Sequence, residues 1–593
     1  MTDGPVSETA LPEPVPSEPA LSETALSPGW HSLHLFLHTS TEDTDAFLTE
    51  DLAPLLDRLV AEQEAAGWFF IRYGEGGPHL RIRVRAPAAA AVAELPGALA
   101  RLAKARPAVD GPWPSHHGEV RAVPYTPETG RYGGPLALPV AEDIFTVSSR
   151  VAVEALRRTP HGAERLILAA DLAHTTASAL GMDRLTAARW LRRHAAGWRW
   201  ITEVALLPSA VVHTRVNSVY ALQREALTRR AEALRESLER DTAAPWLTEW
   251  AQRVRSADQW LRACYGEADA DADADADATE AGRRPAWVWA SQLHMLFNRL
   301  GVTPDEERAV CRLAARTLLD PGEPPAFFAA GHRAPDHQYL EQSKFQIGRN
   351  ADSAVRPLTP MTASGATAVA VALPEISLPA DPLPDISLRT AMTSRTSVRG
   401  ALRAPLTSAG LGTLLWNAHA DSHHSTQRLA DGTVRHLTHR PYPSAGALYT
   451  TGLRVFVLGV DGVPPGTYQC VPQRRALRRI GPVPPVEEIK ALSTYLSRSP
   501  DDPDWIGIDD APAVLGLYVD LGLLRQRYGL RALRLGLLEA GHLAQTLVLT
   551  AAALGLATST LAGIHDDVAH ELFGLDDLDQ PLQYLMPLGR AAG

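Results

Sequence analysis

Cysteine is scarce in this chain of 593 residues, and the three cysteines form no recognisable pattern. Cys264, Cys311 and Cys470 are neither paired nor spaced like zinc ligands, so the sequence predicts no disulfide framework and no metal site. A reducing cytosol is therefore the expected compartment. The hydrophobic content of 45% allows the chain to bury its cores without covalent cross-links.

Lys and Arg are missing from the first 28 positions, which contain five acidic residues. This start lacks the basic and apolar regions of a secretion signal, and its composition predicts a disordered tail over residues 1–28. Seven more acidic residues lie in an Asp-Ala tract, for which we expect a flexible acidic loop over residues 266–282. These twelve acidic residues exceed the net charge of -11, so the folded parts are nearly neutral and no basic surface indicates nucleic-acid binding.

Long apolar runs are also missing, except for LAQTLVLTAAALGLATSTLAGI at residues 543–564. This run is long enough to span a bilayer. However, it has no basic flank, and Gln545, Ser559, four Thr and two Gly interrupt it. We therefore expect a buried helix that ends near Gly555 before a strand, and no membrane partner.

The length of the chain exceeds the roughly 250–300 residues at which single cores stop growing. Strand, helix and strand patterns alternate near the start, and helical periodicity dominates residues 140–262, where Trp190, Trp198 and Trp200 are expected core anchors. From residue 394 onwards helices alternate with strands, which predicts a mixed α/β sheet. The expected fold class is α+β with two domains, joined by a Pro-rich, Thr-rich and Ala-rich linker over residues 326–389 that has room for one edge strand.

Three motifs in the first half carry residues suited to acid-base and anion chemistry. In HLRIRVR, Arg81 and Arg83 alternate and share one face of a strand. PYTPETGRYGG predicts a structured loop with Glu128 and Arg131, and PAWVWASQLHMLFNRLGV predicts a helix that carries His294. An exposed basic strand face and a packed histidine would give the same pattern, so the residue types alone leave both interpretations open.

WFFIRYGEGGPHLRIRVR, PYTPETGRYGG and LHMLFNR occur in this order in the elimination domain of lantibiotic dehydratases, which residues 29–325 resemble. The resemblance implies action on Ser or Thr residues that carry a glutamyl ester, with loss of the Cα proton and of glutamate to give dehydroalanine or dehydrobutyrine. Arginines would bind the glutamate carboxylates, and His294 or Glu128 would move the proton. The implied site residues are Arg81, Arg83, Glu128, Arg131 and His294.

Two alternatives for the first half stay open. A related branch of the same family makes the pyridine core of thiopeptides by [4+2] cycloaddition, but that reaction expels no glutamate and has less need of the Arg, Glu and His set. A module that only binds the precursor peptide is the other alternative. It predicts that His294→Ala leaves dehydroalanine formation intact.

The second half contains residues typical of phosphate and flat-ligand binding. In RTSVR, Arg395 and Arg399 lie on either side of Ser397, a pattern that suits a phosphate beside a helix start. RPYPSAGALY adds Ser444 and Gly446 in a turn where the backbone can approach a flat ligand. An unliganded α/β domain remains the alternative on these residues alone.

Together with LRALRLGLLEAGHLAQTLVLTAAALGL, these motifs resemble the FMN-dependent azoline dehydrogenases of the nitroreductase fold over residues 390–593. The resemblance implies FMN as the cofactor and a homodimer through this domain. The family's Lys-Tyr proton-abstracting pair corresponds here to Arg527-Tyr528, so Tyr528 would act as the base and Arg527 would lower its pKa. The implied FMN-binding residues are Arg395, Ser397, Arg399 and Arg590 at the phosphate, and Arg440, Ser444, Gly446, Gln545 and Gly563 near the ring.

Both resemblances concern the maturation of ribosomally made peptides, and the pairing is similar to the bifunctional elimination and dehydrogenase proteins of lactazole-type thiopeptide biosynthesis. The implied partners are a precursor peptide, a separate glutamylation protein and an azoline-forming cyclodehydratase. The linker would let the two sites act independently. A generic FMN nitroreductase with a peptide-binding domain is the alternative for the whole chain.

Overall fold

The computed structural model describes residues 29–159, 162–201, 204–265, 280–320, 322, 334–344, 374–429 and 432–591. The predicted tail, residues 266–279 of the predicted acidic loop and most of the predicted linker lie outside these residues. The chain divides into two compact units, Met1–Arg165 with His294–Gly301, and Leu166–Leu293 with Val302–Gly593.

The first unit is built on an antiparallel four-stranded sheet in the order β2-β3-β1-β4. Leu80, Ile82 and Val84 alternate with the arginines of β3 and are buried on the opposite face of the sheet. A π-helical turn, Phe47–Leu52, joins the first two helices. The elements are β1 (Trp30–Phe36), α1 (Thr41–Ala46), α2 (Ala53–Ala61), β2 (Gly67–Tyr73), β3 (His79–Arg85), α3 (Ala89–Lys104), β4 (Val120–Ala122) and α4 (Leu138–Arg158).

A helical region follows in the chain. Thr303 and Glu306 form a capping box that starts α10, and Gly301, with a φ of 74°, ends α9 as the sequence predicts. Helix α10 packs against α6 and α7. The helices are α5 (Gly162–Ala179), α6 (Arg184–Gly197), α7 (Ser209–Glu239), α8 (Pro245–Tyr265), α9 (Glu280–Leu300), α10 (Pro304–Leu318) and α11 (Pro335–Gln342).

The last part of the chain contains a mixed sheet, as predicted, in the order β12-β6-β15-β13-β9-β10-β11-β5, with β14 paired to β15. Strands β12 and β6 are parallel, whereas the other pairs are antiparallel. Apolar side chains cover both faces, including Leu415 and Tyr468 on one and Phe456 and Phe573 on the other.

The elements of this part are β5 (Glu375–Ser377), α12 (Leu388–Ser394), β6 (Gly400–Arg403), α13 (Ser408–His419), β7 (His423–Arg428), β8 (Val434–His439), β9 (Thr451–Val457), β10 (Gly466–Val471), β11 (Ala476–Gly481), α14 (Val486–Lys490), α15 (Thr494–Ser497), β12 (Ile506–Asp510), β13 (Ala513–Val519), α16 (Leu521–Tyr528), α17 (Ala532–Ala553), β14 (Ala557–Thr558), α18 (Asp566–Phe573) and β15 (Leu582–Ala591). The edge strand expected in the linker is β5, which pairs with β11.

The long apolar run is helical, as expected. Helix α17 ends at Ala553, Gly555 adopts a φ of 64°, and β14 follows. Among the described residues one helical stretch, Leu521–Ala553, has the length and composition to cross a membrane, and half of its apolar window is buried inside the protein. Core helices of soluble proteins pass the same test.

Candidate functional sites

The three motifs of the first half meet on one face of the first sheet. Phe69 of β2, Tyr132 of the predicted loop and Met295 of α9 pack into one apolar cluster with Phe145 of α4. The ring centroids of Phe69 and Tyr132 lie 5.2 Å and 4.8 Å from that of Phe145. Segments that are more than 150 positions apart in the chain therefore share one small core.

Arg81 and Arg83 share this face of β3 but differ in exposure. The guanidinium carbon of Arg81 lies 3.4 Å from the ring centroid of Tyr73. Arg81 Nη2 lies 3.7 Å from Glu75 Oε2. Arg83 is only 6% exposed, and its guanidinium carbon lies 5.5 Å from the ring of Tyr125. Burial, together with the charge of Arg81, lowers the pKa of Arg83 to about 10. The exposed basic strand face is therefore not what forms at Arg83.

The predicted loop forms a 3-10 turn, Thr129–Tyr132, in which Arg131 donates to Glu128 at 3.0 Å. Both charged side chains are exposed, whereas the adjacent Tyr132 anchors the loop in the apolar cluster. His294 lies on α9, one turn before Asn298. The Asn298 amide accepts from the Arg72 N–H at 3.0 Å and donates to the Arg72 carbonyl at 2.9 Å, so it fixes this end of α9 to strand β2.

Several polar atoms on the same sheet face are buried and have no hydrogen-bond partner among the described residues. Ser32 and His34 lie opposite Arg83 and Arg81 in the register of β1 and β3. The atoms are Ser32 Oγ, His34 Nε2, Arg83 Nε, Glu142 Oε1, Arg299 Nη1 and Arg299 Nη2. Native proteins leave few such groups unpaired, so this concentration indicates a site for a polar ligand.

Arg299 is a candidate site residue that the motif analysis missed. Its side chain is fully buried, its Nε donates to the Phe70 carbonyl at 2.9 Å, and its guanidinium carbon lies 5.2 Å from the Phe145 ring. Burial lowers the pKa of Arg299 to about 9. The available signal was its position four residues after Met295, on the buried face of α9.

The charges around these arginines are only partly balanced. Glu142 accepts from Trp30 Nε1 at 2.9 Å, and burial together with the charge of Glu142 raises the pKa of the Tyr125 hydroxyl. Burial and the charge of Arg83 lower the pKa of His34 to about 4, so His34 is neutral at neutral pH. The arrangement suits an anionic ligand such as a carboxylate, which would pair with guanidinium groups taken out of water.

A second site lies at the C-terminal sheet, where a cavity of about 140 Å³ opens beside α17. Three predicted FMN-binding residues, Arg395, Ser397 and Gln545, line it together with Thr558 and Tyr584. No hydrogen bond or ion pair of the Arg395 guanidinium is present within the described part of the chain. The cavity is smaller than the roughly 300 Å³ at which pockets take whole small molecules, so it fits the phosphate end of a nucleotide.

The RTSVR motif does not lie beside a helix start, which corrects the sequence-based expectation. Helix α12 ends at Ser394, and the motif runs from the helix end into β6. The cavity faces the middle of α17 instead. Any phosphate there would be held by the Arg395 and Ser397 side chains, not by a helix dipole.

The predicted proton-abstracting pair lies beside the predicted flavin turn. Gly446 has a φ of 62°, and a Cβ atom at this position would be 2.5 Å from the Tyr528 hydroxyl and 3.3 Å from the Arg527 guanidinium carbon. Ser444 donates to Glu539 Oε2 at 2.6 Å, while the Thr451 N–H donates to Glu539 Oε1 at 2.9 Å. Glu539, a buried carboxylate on α17, therefore shapes this turn, although the sequence analysis did not single it out.

Six of the nine predicted FMN-binding residues do not line the cavity: Ser444 and Gly446 of the turn, and Arg399, Arg440, Gly563 and Arg590. Arg399 pairs with Asp504 at 3.2 Å, and Arg440 pairs with Asp421 at 3.4 Å. The Gly563 carbonyl accepts from Ser493 at 2.7 Å. Arg590 is exposed on β15.

Both halves of the chain match known family models. Residues 30–318 match the family described as lantibiotic biosynthesis dehydratase C-terminal, and residues 392–590 match the nitroreductase family. The protein MJ1384 of Methanocaldococcus jannaschii, named as a nitroreductase, is 31% identical over 216 residues, which cover 36% of this chain and 96% of that protein.

Two further proteins are similar to part of the chain. The microcin B17-processing protein McbC of Escherichia coli is 32% identical over 151 residues, or 24% of this chain and 50% of McbC. The solved structure of the pyridine synthase TbtD from thiomuracin biosynthesis is 24% identical, with a TM-score of 0.40, and the match covers 49% of this chain and 98% of TbtD.

Proposed function

Because this chain belongs to the nitroreductase family through residues 392–590 and carries a lantibiotic dehydratase C-terminal domain before them, we propose that it is a bifunctional enzyme of peptide maturation. The first domain eliminates glutamate from glutamylated Ser or Thr residues of a ribosomally made precursor peptide. The second domain oxidises thiazolines or oxazolines to thiazoles or oxazoles with FMN.

The elimination step is supported above all by the unpaired guanidinium atoms of Arg83 and Arg299. A glutamyl ester linked through its α-carboxyl group has a free γ-carboxylate, and a second carboxylate forms when the ester leaves. Buried guanidinium groups bind carboxylates strongly, because a buried charge without an opposite charge is costly and the pair offsets that cost. Arg81 adds a third cation. Its guanidinium lies over the Tyr73 ring, and it shares the strand face of Arg83.

The reaction needs one proton acceptor and stabilisation of negative charge. His294 takes the Cα proton, the electrons form the Cα–Cβ double bond, and the Cβ–O bond breaks with release of glutamate. Arg131, held by Glu128 at the exposed loop, faces the entering peptide. The cations stabilise the enolate-like charge that develops when the proton leaves.

The residues around the cavity fit the phosphate of FMN. Arg395 and Ser397 offer a guanidinium and a hydroxyl, and Gln545 offers an amide. When bound, FMN supplies the acceptor for the hydride that leaves the azoline ring. The remaining residues proposed to hold the cofactor, near the phosphate or the ring, are Arg399, Arg440, Ser444, Gly446, Gly563 and Arg590.

The oxidation removes one hydride and one proton from the azoline. Tyr528 takes the proton, and Arg527 lies beside it with its guanidinium carbon 5.6 Å from the Tyr528 ring. Arg527 thus supplies a positive charge beside the residue that takes the proton.

We also propose that the chain forms a homodimer through its C-terminal domain. Leu533, Leu537 and Leu538 of α17 are 37%, 47% and 60% exposed, and Leu388 and Met392 of α12 are 69% and 59% exposed. Apolar surface of this extent on two helices favours a protein partner. Sedimentation velocity is expected to give twice the mass of one chain.

The proposed reactions require other proteins. A separate glutamylation protein makes the ester, and a cyclodehydratase makes the azolines, so the enzyme acts on a precursor peptide that has already been modified. We propose the cytosol as its compartment, where both partners and a reduced thiol pool are available.

The test is mass spectrometry of a precursor peptide that carries glutamylated Ser and thiazolines, after incubation with the FMN-loaded chain. We expect loss of glutamate and loss of two hydrogens per azoline. His294→Ala is expected to keep the ester but allow azoline oxidation, and Tyr528→Phe to give the reverse.

Three outcomes would contradict the proposal. Azoline oxidation by the wild-type chain with the ester left intact would reduce the first domain to a peptide-binding module. Pyridine formation from a peptide that already contains dehydroalanines would assign it to cycloaddition. Turnover of small nitro compounds without any azoline oxidation would make the second domain a generic nitroreductase.

A further inference from the structure

Three arginines of α6 contact a short acidic turn that follows α18 in the C-terminal domain. Arg189 donates to Asp579 at 2.6 Å, Arg193 donates to Asp576 at 3.0 Å, and Arg192 pairs with Asp577. Both segments belong to the second unit of the structure. A helix of the dehydratase-like domain is therefore attached by ion pairs to the flavin domain.

A buried carboxylate strengthens this attachment. Glu571 of α18 is 7% exposed, and it accepts from Ser209 at 2.8 Å, from Arg308 at 3.2 Å and from Arg312. His213 Nε2 lies 2.8 Å from the same carboxylate. All four partners come from α7 and α10, so the position of α18 depends on the helical region of the first domain.

The acidic turn also contacts α16. The Asp579 carboxylate that accepts from Arg189 also accepts from Arg525 of α16 at 2.6 Å. The Asp579 carbonyl accepts from the N–H of Leu521, the first residue of α16, at 2.7 Å. Asp579 therefore contacts α16 near both of its ends.

Helix α16 ends with the residues proposed to abstract the proton. Arg527 and Tyr528 form its last turn, and Tyr528 lies against Gly446. Asp520 caps the start of α16 by accepting from the Leu523 N–H at 3.2 Å. Burial and the charge of Asp579 raise the pKa of Asp520 to about 6, so a change in the charge balance at Asp579 acts on this cap.

We propose that Arg189 of the dehydratase-like domain is a positioning residue for azoline oxidation, and that it holds Tyr528 in place through Asp579 and α16. This inference rests on the proposed function of Tyr528. The two reactions are then not independent, in contrast to what the long linker suggests, because the first domain supplies part of the support for the second site.

The test compares the full-length, FMN-loaded variants Arg189→Ala, Arg189→Lys and Asp579→Asn with the control Arg184→Ala. Arg184 lies on the same helix and pairs only at 3.8 Å, with Glu232 of α7. Turnover of a thiazoline peptide in the presence of an added electron acceptor that reoxidises the flavin gives kcat and KM. Hydrogen exchange followed by mass spectrometry reports on residues 521–528 without any need for activity.

We expect Arg189→Ala and Asp579→Asn to lower kcat about fivefold with little change in KM, as suits the loss of one partly exposed ion pair. Exchange in α16 should rise in both variants, and Arg189→Lys should restore most of kcat. Unchanged exchange and unchanged kcat in Arg189→Ala would overturn the inference, and so would an equal effect of Arg184→Ala. If the wild-type chain oxidises no azoline but exchange in α16 still rises in Arg189→Ala, the proposed function fails. The structural link from Arg189 through Asp579 to α16 is then still supported.

Discussion

At the scale of single residues, burial separates side chains that the sequence pattern treats alike. Arg83 and Arg85 occupy equivalent positions on β3, but Arg83 is buried without a partner for its Nε atom, whereas Arg85 is half-exposed and pairs with Asp143 at 2.8 Å. An unpaired buried cation is costly unless an anion binds to it. We therefore propose that Arg83 binds a ligand, whereas Arg85 forms a surface ion pair.

This difference gives a matched pair of substitutions. Arg83→Gln removes a cation that stabilises developing charge, and glutamate elimination is expected to fall by about a hundredfold or more. Arg85→Gln should change the elimination rate little, because Arg85 forms a half-exposed ion pair with Asp143. Such pairs contribute little to stability, so the fold should also be unaffected. Time courses of ester loss by mass spectrometry measure both variants, and equal effects would contradict the assignment of Arg83 to the site.

At the scale of elements, the turn between β8 and β9 lies against the end of α16, and both belong to the proposed second site. Gly446 has a positive φ of 62°, and its α-carbon faces the Tyr528 hydroxyl. A position with a positive φ and no room for a side chain requires glycine. The geometry of the turn and the position of Tyr528 are thus coupled.

Gly446→Ala is expected to slow azoline oxidation at least tenfold while glutamate elimination continues. The added Cβ atom would collide with Tyr528, and alanine at this positive φ would strain the backbone. Either the turn or the end of α16 therefore has to shift. Gly459→Ala serves as the control, because its Cβ would meet nothing within 4 Å. Oxidation rates of the two variants at saturating FMN provide the measurement, and an active Gly446→Ala enzyme would show that the turn does not set the Tyr528 position.

At the scale of the whole molecule, the boundary between the two family matches is not a boundary between compact units. The dehydratase family match extends to residue 318, yet its helices from Leu166 to Leu293 and from Val302 onwards belong to the same unit as the nitroreductase domain. Glu571 illustrates the reason, since its side-chain partners Arg308, Arg312 and His213 come from the helical region.

Glu571→Gln is expected to lower the free energy of unfolding by about 3–5 kcal/mol at neutral pH, because it removes the anion that pairs with the buried Arg312 and leaves Arg308 with Asp305 alone. Burial opposes ionisation of Glu571, but Arg312, His213 and Arg308 hold its pKa well below the ordinary value. The carboxylate therefore stabilises the fold above pH about 4.3, and this contribution is lost as the pH falls below that value.

Urea unfolding of the wild-type and Glu571→Gln chains between neutral and acidic pH measures this difference. The gap between the two should shrink as the pH drops below about 4. Asp566→Asn, an exposed position on the same helix, should behave like the wild type throughout. A gap that stays constant with pH would mean that the Glu571 charge is not what stabilises the contact.

Most of the elements were predictable because they depend on local patterns, whereas the predicted site residues remain predictions. Alternation gave β3 with its arginine face, helical spacing gave α9 and α17, and glycines marked where both helices end. Trp190 and Trp198 are buried as expected, but Trp200 is 37% exposed because it packs over Gly481 at the surface of β11. That contact joins positions 281 residues apart, which no local pattern contains.

The sequence by itself determined the two family matches, the mixed sheet and the motifs proposed to carry the chemistry, because each of these depends on the residue types of short segments. Only the tertiary structure decided that Arg83 Nε and both Nη atoms of Arg299 are buried with no hydrogen-bond partner among the described residues. It also decided that RTSVR follows a helix end, and that Glu571 and Asp579 join the two halves. Burial and pairing are properties of segments far apart in the chain. They arise when the chain folds, since only then do desolvation and charge act on the same side chains.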